Sequence, residues 1–236
     1  MALVSLCRNS SGGIFKGLNM LSVREIASGD GFELYGIPAD WAAFRAAVIF
    51  AGAAVDTKAD KEGRPIFGGL HFEAVGVHCG VIASDRFRLA WAELNGFDVE
   101  NLTALSSHKA VDHSGTIPAR ELLAGVKPSK IVGPFSLVID NAAGVWSLSV
   151  NDSTISGRTI LGDFPKWRQL IPEIPTDSAG GFSLSPDLLA GFMSGISKAF
   201  KVSGGVKLSQ AAPLKPVILS GFSDSARGLI MPIRVS

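Results

Sequence analysis

Four histidines and two cysteines are the side chains of this sequence best suited to metal binding or nucleophilic catalysis. The cysteines are Cys7 and Cys79, and the histidines are scattered: His71, His78, His108 and His113. A metal site needs suitable ligands that converge on one point, and this spacing fits no zinc pattern. No nucleophile elbow or phosphate-binding glycine loop occurs either. The sequence therefore predicts no enzyme, no metal and no other cofactor, and it favours two reduced thiols.

Basic side chains on or just after the predicted helices offer a different chemistry, the attraction of anions. They are Arg45, Arg120, Lys127, Lys130, Lys198 and Lys201. Taken alone, such residues are typical of an ordinary solvated helix face. On one shared wall they would attract phosphates without reading bases, which gives sequence-independent and salt-sensitive DNA binding. The net charge of +1 argues against a protein whose whole surface is basic, but it is compatible with basic residues gathered on one face.

The elements that must position these residues follow one pattern, a strand, a short helix and then several strands, which occurs three times. Each predicted helix follows a strand that ends in Ile37-Pro38, Ile117-Pro118 or Ser185-Pro186. Proline ends the strand and sets the backbone dihedral at the helix entry, so the repeated step has a physical cause. Alternating apolar residues and turn signals predict strands at 32–37, 66–75, 77–84, 87–93, 136–140, 145–150, 154–161, 182–185, 206–209, 217–221 and 228–235.

Composition agrees with an α+β protein made of many short strands. The chain has 236 residues, 47% of them hydrophobic, which is enough for one large domain or two small ones with a sizeable core. Its longest apolar stretch, 41–55, is shorter than the roughly 20 residues that span a bilayer. The first residues have no basic start and no long apolar centre, so a signal peptide is not expected. We expect a cytoplasmic protein with no membrane contact.

Three phrases carry the most specific information. Residues 81–90 read VIASDRFRLA, residues 163–172 read DFPKWRQLIP, and residues 229–235 read LIMPIRV. In this order they resemble the bacterial sliding clamp, the β subunit of DNA polymerase III, in which similar phrases build one pocket for partner peptides. The family usually has glycine and histidine where this chain has Arg86 and Phe87.

The resemblance implies a DNA-clamp fold, with helices lining a ring and sheets outside, and a function without chemistry. Such a protein closes around duplex DNA as a processivity factor. It tethers DNA polymerase and the clamp loader through their short peptides. By the resemblance the peptide groove consists of Ser84, Arg86, Phe87, Arg88, Leu89, Pro165, Arg168, Leu170, Met231, Pro232, Ile233 and Arg234. The six basic helix residues would face the DNA.

The resemblance covers residues 32–236 and also suggests a division of the chain. Residues 1–31 would supply strands, at 3–8 and 14–26, that complete a sheet. Residues 32–163 would form a clamp-like domain, 164–175 an interdomain linker, and 176–236 a C-terminal clamp-like half domain. The three copies of the repeat and the N-terminal strands suggest roughly two clamp-like domains per chain. A ring needs about six such domains, as the resemblance implies, so the hypothesis is a homotrimer, with a dimer as the alternative.

Two functions are open at this stage. One is a shortened processivity clamp of phage or mobile-element type. The alternative is a clamp-derived regulatory protein that binds peptides without encircling DNA. Particle mass separates them, because a ring must be a closed oligomer.

Overall fold

The computed structural model describes residues 21–75, 78–94, 113–128, 130–172, 182–200 and 205–233. In these ranges the chain combines helices with antiparallel strands, which confirms the α+β class. None of the helices described there is both long and apolar enough to cross a membrane. The strand predicted at 3–8 lies outside these ranges, as do Cys7 and His108.

The described part of the chain contains three α-helices, two 3-10 turns and twelve strands. The helices are α1 (Trp41–Gly52), α2 (Ala119–Gly125) and α3 (Pro186–Ala199), and the 3-10 turns are Pro65–Gly68 and Trp167–Leu170. The strands are β1 (Ser22–Glu25), β2 (Gly31–Gly36), β3 (Gly69–Val75), β4 (His78–Ser84), β5 (Arg88–Glu93), β6 (His113–Pro118), β7 (Phe135–Asp140), β8 (Val145–Val150), β9 (Ser153–Arg158), β10 (Lys207–Gln210), β11 (Val217–Ser220) and β12 (Ala226–Ile230).

The strands form two antiparallel sheets, and the first two copies of the repeat exchange their first strands. One sheet has the order β1-β2-β7-β8-β9, and the other has the order β10-β11-β12-β5-β4-β3-β6. Strand β2 thus pairs with β7 of the second copy, while β6 pairs with β3 of the first. The third copy joins through β12, which pairs with β5. Because each copy completes the sheet of another, all three share one hydrophobic core.

Proline accounts for one difference from the predicted strands. The strand expected at 66–75 begins only at Gly69, because Pro65 starts a 3-10 turn. Proline has no amide hydrogen to donate to a sheet ladder, so the chain turns before it pairs.

The third copy differs from prediction at both of its ends. Residues 182–185 form no strand, and Ser185 occupies the N-cap of α3 without a side-chain capping hydrogen bond. The final strand ends at Ile230, so Met231 follows the sheet and does not lie in it. The predicted strand 228–235 was therefore too long. Proline at position 232 cannot donate to the ladder, which agrees with this early end.

Helices α1 and α3 pack on each other, and α1 also packs on strands of the seven-stranded sheet. The Phe50 ring on α1 lies 5.9 Å from that of Phe192 on α3 and 5.1 Å from that of Phe222. At the other end of α1, Trp41 lies 5.1 Å from Phe135 of the five-stranded sheet. A fully buried side chain of this size contributes about 2–3 kcal/mol. Helix α1 therefore ties both sheets to one core.

The opposite face of the seven-stranded sheet is covered by residues 164–171, here named the cover segment. Side chains alternate between the two faces of a strand. On β5, Ala90 and Ala92 belong to the main core, while Leu89 and Trp91 belong to a second cluster with Trp167. The cover segment thus completes a second small core. One edge of the cover segment also borders the candidate functional site described below.

Candidate functional site

The turn between β4 and β5 is closed by Asp85, whose side chain is nearly buried. Its carboxylate accepts hydrogen bonds from the Phe87 amide at 2.9 Å and the Arg88 amide at 2.6 Å, and it pairs with Arg88 Nε at 2.9 Å. The Ser84 hydroxyl donates to the Arg88 carbonyl at 2.8 Å. Arg86 adopts the left-handed backbone, with φ of 78°. Glycine adopts this conformation without the steric cost that a side chain adds.

Two backbone hydrogen bonds fasten residues 231–233 to this neighbourhood. The Met231 amide donates to the Phe87 carbonyl at 2.9 Å, and the Ile233 amide donates to the Ser183 carbonyl at 2.8 Å. Three of the side chains at this edge are unusually exposed for apolar residues, with 53% exposure for Phe87, 41% for Met231 and 45% for Ile233. Exposed apolar groups gathered in one place are typical of a binding surface.

An apolar groove of about 570 Å³ lies between the cover segment and the β10–β11 loop. Its lining includes Gln169, Leu170, Ile171, Pro172, Ala211, Ala212, Leu214, Lys215, Pro216 and Met231. Leu170 is 52% exposed and Leu214 is 54% exposed, so both present apolar surface to an incoming ligand. Two predicted residues from distant segments, Leu170 and Met231, thus share one groove.

The β10–β11 loop is the part of the groove that sequence reasoning missed. Residues 211–216 read AAPLKP, an apolar run interrupted by two prolines. Such a run between two strands could have suggested an exposed apolar wall, because proline keeps a segment out of a sheet.

Other predicted groove residues occupy different places. Leu89 is only 3% exposed and forms part of the floor beneath the cover segment. Pro165 lines a second cavity, of about 610 Å³, together with His71 and Glu73. Arg88 packs over the ring of Phe192, 5.8 Å from its centroid. Pro232 follows Met231 and is half-buried. Arg234 lies outside the described residues.

A buried polar network holds the cover segment on β3. Glu73, 8% exposed, accepts a hydrogen bond from Trp167 Nε1 at 2.9 Å, and its other carboxylate oxygen lies 2.5 Å from Arg168 Nη2. His71 lies 3.4 Å from Glu73, and its ring stacks on Phe164 at 4.5 Å. Paired and hydrogen-bonded in this way, a carboxylate can remain charged in a buried place.

Burial and nearby charges shift three pKa values in the seven-stranded sheet. Burial raises the pKa of Glu73, but hydrogen bonding from His71, the charge of Arg168 and the bond from Trp167 outweigh it and lower that pKa. Burial raises the pKa of Glu93 to about 7, where the charge of Arg168 opposes the rise and that of Glu73 adds to it. Burial also raises the pKa of the Cys79 thiol. A thiol held protonated in this way is a poor nucleophile.

The predicted DNA-facing residues lie on or beside the helices. Arg120, Lys127, Lys130 and Lys198 are exposed. Arg45 is half-buried, because its Nε donates to the Val126 carbonyl at 2.9 Å just after α2. Lys201 lies outside the described residues. Within those residues, no group of three or more His, Cys, Asp or Glu side chains is placed to hold a metal ion.

Comparison with solved structures identifies the fold as that of the bacterial sliding clamp. The β subunit of DNA polymerase III from Thermotoga maritima matches with a TM-score of 0.61 and 16% identity, over 88% of this chain and 66% of that one. The β chain from Streptococcus pneumoniae matches with a TM-score of 0.60 and 17% identity, over 90% and 67%. A sliding clamp from Pseudomonas aeruginosa, bound to griselimycin, matches with a TM-score of 0.61 and 12% identity, over 89% and 68%.

These matches confirm the predicted fold. This chain spans 66% of the length of the Thermotoga maritima subunit. No protein-family model and no curated protein matches the chain.

Proposed function

We propose that this chain, which has the sliding-clamp fold, is a processivity clamp that encircles duplex DNA and binds partner proteins through its apolar groove. The role requires no chemistry from the chain itself. The proposed partners are DNA polymerase and the clamp loader, each contributing a short extended peptide.

The observation that carries the proposal is the groove itself. It brings Leu170 from the cover segment, Leu214 from the β10–β11 loop and Met231 from beyond β12 around one apolar space. A methionine wall adapts to different side chains, which suits a site for several peptides. Lys215 and Gln169 at the lining would orient the polar groups of a peptide backbone.

A closed ring would place the basic helix residues toward DNA. The charges of Arg120, Lys127, Lys130 and Lys198 are exposed and available to phosphates. Contacts of this kind weaken as salt rises, so closure of the ring, and not contact energy, would retain the protein on DNA.

We favour a homotrimer, with a dimer as the alternative. The three copies of the repeat and the N-terminal strands suggest roughly two clamp-like domains per chain, and a ring of about six such domains, as the resemblance implies, would take three chains. Head-to-tail interfaces that close give cyclic symmetry. The proposal also includes domain boundaries at 31/32, 163/164 and 175/176. The seven-stranded sheet continues across the last two boundaries, because it contains strands from before and after the cover segment.

The alternative is a peptide-binding regulator that keeps the groove without closing a ring. Mass in solution by light scattering separates the two. A trimer or dimer supports the clamp, whereas a monomer at micromolar concentration contradicts any ring.

The groove is tested by titrating a labelled peptide rich in Gln, Leu and Phe against wild type and a Leu170→Ala/Met231→Ala variant. Loss of two apolar anchors of this kind reduces the free energy of peptide binding by about 2 kcal/mol, which weakens the affinity about 30-fold. The matched control is Ile37→Ala/Val145→Ala, because those side chains have similar exposure, 44% and 41%, away from the groove. Equal affinity for wild type and the groove variant would place the peptide elsewhere.

A further inference from the structure

We propose that Glu73 is a positioning residue, which fixes the groove wall that carries Leu170 by anchoring the cover segment to β3. Its consequence for ligand binding rests on the proposed peptide-binding function. Its physical basis is a buried carboxylate that contacts two consecutive residues of the segment.

Glu73 uses both carboxylate oxygens on the cover segment. Oε1 accepts the Trp167 indole hydrogen at 2.9 Å, and Oε2 lies 2.5 Å from the Arg168 guanidinium. Arg168 also packs over the ring of Trp167, 4.6 Å from its centroid. An ion pair together with a hydrogen bond, both made by one buried carboxylate, fixes orientation as well as distance.

The register of three strands places a second acid, Glu93, on the same face of the sheet as Glu73. Glu73 on β3 lies opposite Gly80 on β4, and Gly80 lies opposite Glu93 on β5. Residues directly opposite each other point to the same face of a sheet. The Glu93 carboxylate lies over Gly80, with its oxygens 3.5 and 3.6 Å from where a Cβ of that residue would stand. The charge of Arg168 acts on both acids.

Leu170 depends on this anchor because little of its own side chain is buried. It is 52% exposed and belongs to the same 3-10 turn as Trp167 and Arg168. The next residue, Ile171, donates its amide to the Arg168 carbonyl at 3.3 Å. Movement of Arg168 would therefore displace Leu170 and the near wall of the groove.

The experiment compares wild type with Glu73→Gln by hydrogen exchange and peptide titration on the full chain. Glutamine keeps the volume and can still accept the Trp167 hydrogen, but it removes the charge opposite Arg168. We expect amides of residues 167–171 to exchange about 10-fold faster, and the Gln-, Leu- and Phe-rich peptide to bind about 10-fold more weakly.

Two further variants separate positioning from a general loss of stability. Asp40→Asn alters another buried acid, 1% exposed, which accepts the Ile37 amide at 3.0 Å far from the groove. It should leave exchange at 167–171 and peptide affinity unchanged. Arg168→Met should act like Glu73→Gln, and the double variant should add little, because residues that act through one contact are not additive.

Each outcome bears on the proposal. Unchanged exchange at 167–171 in Glu73→Gln overturns it, as does faster exchange with unchanged peptide affinity. An equal effect of Asp40→Asn also overturns it. If wild type binds no peptide at all, the proposed groove function fails. In that case, faster exchange confined to residues 167–171 in Glu73→Gln still supports Glu73 as the anchor of the cover segment.

Discussion

Replacing Glu93 with glutamine should stabilise the protein at pH 8 and leave its stability unchanged at pH 4. Burial raises the pKa of Glu93 from 4.5 to about 7 in the folded protein. Between those values the folded state binds more protons than the unfolded chain, so stability falls as pH rises, and the loss is complete above pH 7. Glutamine removes this penalty because it never ionises.

The size of the effect follows from the shift. A change of one pKa unit corresponds to about 1.4 kcal/mol, so the full shift sets an upper limit of about 3 kcal/mol. The Glu93 side chain is only half-buried, and residual solvent reduces the penalty. We expect Glu93→Gln to raise the free energy of unfolding by about 1–2 kcal/mol at pH 8.

Urea unfolding of both proteins at pH 4, 5, 6, 7 and 8 measures this difference. Glu25→Gln on the edge strand β1 is the matched control, because it makes the same substitution at an exposed position. A difference in unfolding free energy between wild type and Glu93→Gln that is constant with pH, or that shrinks toward pH 8, would refute the raised pKa of Glu93.

Two further predictions concern the turn and the basic residues. Arg86→Gly should change the free energy of unfolding by less than about 1 kcal/mol in urea titrations, because relief of the left-handed backbone offsets the added freedom of the unfolded chain; a larger loss would contradict this. Removing four exposed charges should lower the slope of log affinity for duplex DNA against log salt by about 0.9 for each side chain that contacts a phosphate, and an unchanged slope would exclude this face. The four charges belong to Arg120, Lys127, Lys130 and Lys198, and Arg45 is left intact because it bonds to Val126.

The sequence by itself was sufficient for the repeated unit and the fold class. A helix begins at or soon after each of the three proline steps, which are Ile37-Pro38, Ile117-Pro118 and Ser185-Pro186. Proline ends the preceding segment and sets the backbone dihedral of the helix entry, and this local effect needs no tertiary contact. Period-two alternation located most strands within one or two residues. The three phrases suggested the clamp fold, which the solved structures confirm. The DNA-facing residues, the ring and the full membership of the groove remain predictions.

Only the tertiary structure decided which distant residues meet. Sequence alone gave no sign that Glu73 would anchor Trp167, because the two are separated by 94 positions and a glutamate in a strand reads as solvent-facing. The AAPLKP loop reaches the groove only because β12 pairs with β5 and brings the third copy beside the cover segment. The burial that raises the pKa of Glu93 depends on the same packing. Local propensity specifies single elements, whereas sheet order, burial and charge pairing arise from contacts between segments far apart in the chain.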